Sequence, residues 1–185
     1  MTRRNSRRHF LTCLGGAVAA GLAEPATASL IAPESKLVAP RALTFDNLHT
    51  GEKASVEYWA DGSYLPDALH EVNVILRDYR NGEVHPIEPK LLDLLHQLHA
   101  KLESTQPFEV ISGYRSPQTN AMLRASGHGA ASKSYHMKGM AIDIRLGDKD
   151  LKDVHQTALL MRAGGVGYYP ESNFVHVDVG PIRRW

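Results

Sequence analysis

Two short segments in the C-terminal half alternate between apolar residues and polar or ionisable ones. They are Ala141-Ile142-Asp143-Ile144-Arg145 and Phe174-Val175-His176-Val177-Asp178. Side chains along a strand point alternately to opposite faces, so each segment predicts a strand with Ile or Val on one face. Ala141, Asp143 and Arg145 share the other face of the first strand; Phe174, His176 and Asp178 share that of the second. If the two strands are neighbours, Asp143 and His176 stand side by side. His136, in the loop entering the first strand, brings a third side chain of the kind that binds metal.

Two imidazoles and one carboxylate suit Zn²⁺. Three protein ligands leave the fourth position to water, which distinguishes a catalytic zinc from a structural one. Cys13 is the only cysteine, so the chain can form neither an internal disulfide nor a cysteine-based zinc cluster, and a zinc site must use His and carboxylates. A single His beside a strand reads equally well as a surface or satisfied core residue. The combination of a Gly-flanked His136-x₆-Asp143 with a later His176-x-Asp178 strengthens the metal reading, with those ordinary roles still open on spacing alone.

The length of 185 residues predicts one domain. A net charge of +1 gives no electrostatic case for nucleic acid or an anionic membrane as partner. No apolar run reaches the roughly 18–20 residues of a spanning helix, so no stable membrane anchor is expected. Residues 1–28 read as an export signal: basic at Arg3, Arg4, Arg7 and Arg8, weakly apolar over 10–23, and ending in the small-x-small site Ala26-Thr27-Ala28. Ser6-Arg7-Arg8-His9-Phe10-Leu11 matches a twin-arginine signal, with an ordinary secretory signal as the alternative. This implies the twin-arginine export machinery as partner and the periplasm as destination. The apolar stretch lies after Cys13 rather than before it, which argues against a lipid anchor there. Residues 29–42, rich in Ala, Pro and Ser, read as a linker or disordered lead-in to a domain over 43–185.

Within that domain, strands are expected at 43–47 and 54–59 and helices at about 67–80 and 88–103. A strand follows at 108–111, a helix from Ser116-Pro117 to about 124, a strand at 140–144 and a helix at about 149–163. The last strands are expected at 165–168 and 174–179. The fold class is α+β, with helices packed on a small, mostly antiparallel sheet.

Several motifs resemble one family. They are Ser112-Gly113-Tyr114-Arg115-Ser116, Ser134-x-His136-x-x-Gly139-x-Ala141-x-Asp143, Gly165-Val166-Gly167-Tyr168 and Val175-His176-Val177-Asp178. Together they resemble the D-Ala-D-Ala peptidase branch of the LAS zinc metallopeptidases, a group that also holds lysostaphin-type enzymes and the hedgehog fold. The resemblance spans 43–185 and is nearest to a periplasmic murein endopeptidase. It implies that His136, Asp143 and His176 are zinc ligands and that Arg115 stabilises the oxyanion of a tetrahedral intermediate. Arg115 reads otherwise as a cap on the following helix or a partner for a carboxylate.

Many relatives in that group carry Glu or Asp three residues before the last ligand, as general base. Here that position is Asn173, and Phe174 stands where others have His. Asp178 is the remaining candidate, either as base or as a carboxylate orienting a ligand; Glu171 is a weaker one. His96 and His99, spaced i, i+3, fit an apolar helix edge, and His128 in the Gly-rich loop is a candidate for the cleft.

The activity implied is hydrolysis of peptide cross-links in peptidoglycan by a zinc-activated water, with stem peptides as substrate. The alternatives are a carboxypeptidase or dipeptidase on those stems, or a zinc-containing peptidoglycan-binding module without turnover.

Overall fold

The structure is a computed structural model that describes residues 39–127 and 130–185. The expected export signal, most of the expected lead-in and His128 lie outside the described residues. The elements are β1 (Arg41–Asn47), β2 (Lys53–Ala60), β3 (Ser63–Tyr64), α1 (Pro66–Ile75), α2 (Pro89–Leu102), β4 (Phe108–Ser112) and α3 (Pro117–Ala125). A single 3₁₀ turn, Tyr135–Lys138, precedes β5 (Ala141–Leu146), α4 (Leu151–Met161), β6 (Gly165–Tyr169), β7 (Phe174–Asp178) and β8 (Arg183–Arg184).

The eight strands of the described residues form one sheet in the order β3-β2-β1-β4-β5-β7-β6-β8. The fold is α+β and the sheet mostly antiparallel, as the sequence implies. The sheet is larger than expected, and two of its pairings, β1 with β4 and β6 with β8, are parallel. The extra strands β3 and β8 have two residues each, too few to show an alternation. β1 starts at Arg41, two residues inside the stretch expected to be lead-in.

One face of the sheet carries the core. Phe45, Val56, Phe108, Val110, Ile142, Ile144, Val175 and Val177 pack with Leu91, Leu92, Leu95 and Leu98 of α2 and with Val154 and Ala158 of α4. Leu91, Leu92, Leu95 and Leu98 are fully buried, which fits the leucine stripe read from their spacing. Truncating any one of them to Ala would cost about 2–5 kcal/mol through lost transfer energy and the cavity left behind.

α1 ends at Ile75, several residues before the Asn81-Gly82 stop. Buried Asp78 redirects the chain there. Its carboxylate accepts from the backbone N–H of Arg80 and of Ser116, and its carbonyl accepts from Gly82. The Leu76 carbonyl is meanwhile taken by Tyr114 N–H at 2.7 Å. α3 begins as expected, with Ser116 Oγ accepting from Thr119 N–H at 3.1 Å and Pro117 as the first helical residue.

The 3₁₀ turn holding His136 is bounded by Ser134 and Gly139. Ser134 Oγ accepts from the His136 N–H, and Gly139 closes the turn at φ +64°. A Cβ on Gly139 would stand 2.1 Å from the Pro86 carbonyl oxygen, and the Gly139 carbonyl accepts from Glu88 N–H. Gly51 has a similar φ of +71° but open space around it. The two glycines therefore separate backbone strain from close packing. We expect Gly51→Ala to cost about 1 kcal/mol, the left-handed penalty alone. Gly139→Ala should cost at least about 2 kcal/mol more, because the Pro86 backbone must also move. Urea denaturation of the two variants against wild type checks this; equal losses would show that the Pro86 contact carries no weight.

Candidate metal centre

β5 and β7 are neighbours, and in their register Asp143 faces His176 directly. The same row continues across the sheet, to Ser112 on β4 beside Asp143 and to Gly167 on β6 beside His176. Directly opposed residues of antiparallel strands share a face. Asp143 and His176 therefore lie opposite the core face, where Ile142, Ile144, Val175 and Val177 point. His136 reaches the same spot from the 3₁₀ turn. All three are buried.

Each imidazole has one nitrogen tied to an acceptor. His136 Nδ1 lies 2.7 Å from the Gly113 carbonyl oxygen, which can only accept, so Nδ1 carries the proton and Nε2 faces inward as a lone pair. His176 Nε2 lies 3.0 Å from Asp178 Oδ2 and donates to it, which turns Nδ1 inward. His136 Nε2, His176 Nδ1 and Asp143 Oδ1 then converge. Their separations are 3.2 Å between the nitrogens, 2.8 Å from His176 to Asp143 and 3.3 Å from His136 to Asp143. Donors at about 2.0–2.1 Å from a tetrahedral ion stand about 3.3 Å apart, so the donor set fits a metal of zinc's size. Among the described residues this is the group of ligand-type side chains that could hold a metal ion.

The electrostatics follow from burial and proximity. Burial alone pushes the Asp143 carboxyl up, but the two imidazoles outweigh it and hold the group well below the usual carboxylate range. Burial holds His136 below its ordinary value. Burial would also lower His176, yet its hydrogen bonds to Asp143 and Asp178 prevail and raise it to about 9.

Arg115 follows β4, and its backbone N–H donates to the His136 carbonyl. Its Nη2 donates to Ser112 Oγ at 3.3 Å and pairs with Asp143 Oδ2 at 3.6 Å, while its buried Nε has no partner. The guanidinium thus stands beside the converging donors rather than capping α3, whose cap is Ser116.

Asp178 is fully buried. Oδ1 accepts from Gly165 N–H, Gly180 N–H and Arg183, and Oδ2 from His176 and Arg183. Burial raises its pKa, but these partners together hold it well below the usual range.

The cleft over the three donors is lined by Arg115, Lys133, Ser134, Tyr135, Tyr169, Phe174, Arg183 and Trp185 besides the donors themselves. Among the described residues, Asp143 is the one side-chain carboxylate in this lining. Asn173 and Glu171 are exposed residues of the β6–β7 turn and do not line it. His99 binds the Gln106 carbonyl and His96 packs edge-on to Tyr58, and neither lines the cleft. The sequence reading missed Ser112 as a partner of Arg115, the Gly113 carbonyl, and the C-terminal wall of Arg183 and Trp185. The glycines of Gly165-Val166-Gly167 were the available signal for that wall, since Gly inside a strand often marks a close approach.

The family described as Peptidase M15_2, peptidoglycan L,D-endopeptidase MepK, matches residues 34–185. The peptidoglycan L,D-endopeptidase MepK of Escherichia coli (strain K12) is 45% identical over 187 residues, covering 100% of both chains. The probable peptidoglycan L,D-endopeptidase MepK of Haemophilus influenzae is 44% identical over 147 residues, 79% of each chain. Among solved structures, the Serratia marcescens L-Ala D-Glu endopeptidase ChiX matches at 17% identity, over 51% of this chain and 68% of that one, with a TM-score of 0.35, too low to bear on the fold. On the full-length match to the first of these and the span of the family match, the chain belongs to the M15_2 peptidase family, that of peptidoglycan L,D-endopeptidase MepK.

Proposed function

We propose that this protein is a zinc-dependent murein endopeptidase that hydrolyses peptide cross-links of peptidoglycan in the periplasm. The observation that carries the proposal is the convergence of His136 Nε2, His176 Nδ1 and Asp143 Oδ1 on one point, with the outer nitrogen of each imidazole already committed. The relatives' printed activity supports the substrate class, peptidoglycan stem peptides joined by a cross-link. In this reading His136, Asp143 and His176 hold Zn²⁺, which supplies a Lewis acid for the scissile carbonyl and a water of lowered pKa.

The chain's own groups do the rest. Arg115 receives the carbonyl oxygen as charge develops on it, because its guanidinium lines the cleft beside the converging donors, where a fixed positive charge is suited to an oxyanion. Asp143 keeps Arg115 aimed at the site. Asp178 orients His176 rather than taking a proton from water. Both of its oxygens are spent on five donors, and it lies beyond the imidazole from the point where the metal-facing atoms meet.

The setting is part of the same proposal. Residues 1–28 are read as a twin-arginine signal that hands the folded chain to that export machinery and is removed after Ala28. No helix among the described residues is long and apolar enough to cross a membrane.

Four outcomes test this reading. Chelation should abolish digestion of cross-linked muropeptide dimers, with Zn²⁺ restoring it; release of free D-Ala with dimers left intact would replace endopeptidase by carboxypeptidase. Arg115→Ala should lower kcat about 10²–10³-fold with zinc content unchanged, whereas loss of zinc would make Arg115 a structural support. In the metal-free protein His176 keeps its second proton up to about pH 9. Zinc must displace that proton, so its apparent affinity should fall about tenfold for each unit by which the pH is lowered through the neutral range. Calorimetry in buffers of different ionisation enthalpy should then find at least about one proton released per zinc at pH 7, and none would reject the assignment. Finally, Arg7→Lys with Arg8→Lys should leave the precursor in the cytoplasm; unimpaired export would mean an ordinary secretory signal.

A further inference from the structure

The C-terminal strand contributes an ion pair between an exposed arginine, Arg183, and the buried carboxylate of Asp178. β8 runs parallel to β6, with Gly165 opposite Arg183 and Val166 opposite Arg184. Trp185 continues the pairing, its carbonyl accepting from Tyr168 N–H and its N–H donating to the Val166 carbonyl. This brings Arg183 over the edge of the sheet and onto Asp178. Nη2 reaches Oδ2 at 2.6 Å and Nη1 reaches Oδ1 at 3.1 Å. A guanidinium engaging both oxygens of a carboxylate fixes its plane as well as its charge.

The surroundings hold Arg183 in that pose. Its guanidinium carbon lies 4.9 Å from the centre of the Tyr135 ring and 5.0 Å from that of Trp185. The Pro181 carbonyl accepts a further bond from Nη1. Trp185 is itself anchored, its Nε1 donating to Tyr169 Oη at 2.6 Å. Three glycines leave room for the assembly. A Cβ on Gly165 would stand 2.6 Å from both Arg183 Nη1 and Asp178 Oδ2. One on Gly167 would meet the Trp185 indole at 2.7 Å, and one on Gly180 would meet the Tyr135 ring at 2.5 Å.

We propose that Arg183 is a positioning residue of the metal site, acting through Asp178 to set the orientation of the His176 imidazole. The chain of cause is short. Arg183 fixes the Asp178 carboxylate plane, Asp178 Oδ2 takes the His176 Nε2 proton, and the ring is thereby held with Nδ1 toward Asp143 and His136. Asp178 accepts two backbone N–H groups as well, but both fall on Oδ1. Arg183 is the group besides His176 that engages Oδ2, the oxygen facing the ring. The inference rests on His176 being a metal ligand, as proposed above.

The test is metal affinity. Zinc-loaded wild type, Arg183→Met and Arg183→Lys would each be titrated with a chromophoric chelator, and their Co²⁺-substituted forms compared by visible absorption. Arg183→Met should lose zinc about 10–100-fold more readily, the usual effect of removing an outer partner of a ligand. Its Co²⁺ spectrum should shift, because the ligand field reports ring orientation, while its thermal melt shows a folded protein. Arg183→Lys should recover little, since a point charge cannot span both oxygens. If Arg183→Met does not fold, Arg183→Lys carries the test by the same two readouts. Wild-type zinc affinity and an unchanged Co²⁺ spectrum in the folded variant would overturn the proposal. A wild type that binds no zinc would instead overturn the metal site itself, so the two failures are distinguishable.

Discussion

The register of β5 against β7 is the constraint on which the site depends. It sets Asp143 opposite His176 and extends the row to Ser112 and Gly167. A slip of one residue would exchange the two faces, sending His176 into the leucine core and Val175 or Val177 into the cleft. What prevents the slip is on the other face. Ile142, Ile144, Val175 and Val177 are completely buried under the helices. Each such side chain is worth roughly 1.5–3 kcal/mol when removed from water. The apolar alternation thus does two jobs, holding the sheet together and aiming the ligand-type side chains.

The candidate metal centre concentrates charge where water is scarce, and its two buried carboxylates each have cationic or imidazole partners. Asp143 faces Arg115 and both imidazoles, and Asp178 faces His176 and Arg183. A buried charge pair gives little net stability, since desolvation offsets most of the attraction, yet breaking one leaves an uncompensated ion. The arrangement therefore contributes orientation more than stability. The carbonyl of Gly113 and the carboxylate of Asp178 serve as fixed acceptors that decide which nitrogen of each ring faces inward. Gly113 performs this partly by being Gly: a Cβ there would stand 2.5 Å from the Leu76 carbonyl oxygen, so a side chain would push the strand end away.

Much of this was legible in the chain because it rests on local rules. The strands holding Asp143 and His176 follow from alternation. The Ser116-Pro117 start of α3 follows from capping, and the motif from Ser134 to Asp143 decomposes into a cap, a buried histidine, a left-handed glycine and a strand. The parts that were not legible depend on contacts distant in sequence. α1 stops early because of hydrogen bonds between its end and residues 114 and 116, nearly forty positions on. β8 has no periodicity to read and exists by pairing with β6. Ser112 partners Arg115 because a bulge in the β4–β5 pairing brings it opposite Asp143.

The β6–β7 turn accounts for the residue that departs from the wider group. Asn173 has φ +52°, and its N–H bonds back to the Pro170 carbonyl. Asn tolerates the left-handed region better than Glu, because its short amide can hydrogen-bond locally. Its side chain is exposed and outside the cleft lining. The hairpin therefore explains Asn173 as a turn residue, with no appeal to proton transfer. The orienting role proposed for Asp178 rests on a different argument. A base must lie within one hydrogen bond, or one water, of the proton it takes. Asp178 contacts His176 at the nitrogen turned away from the converging donors, and it has no exposed oxygen. With neither position serving as base, each is explained by its geometry: Asn173 shapes the hairpin and Asp178 holds the His176 ring, so both leave intact the proposed metal site between His136, Asp143 and His176.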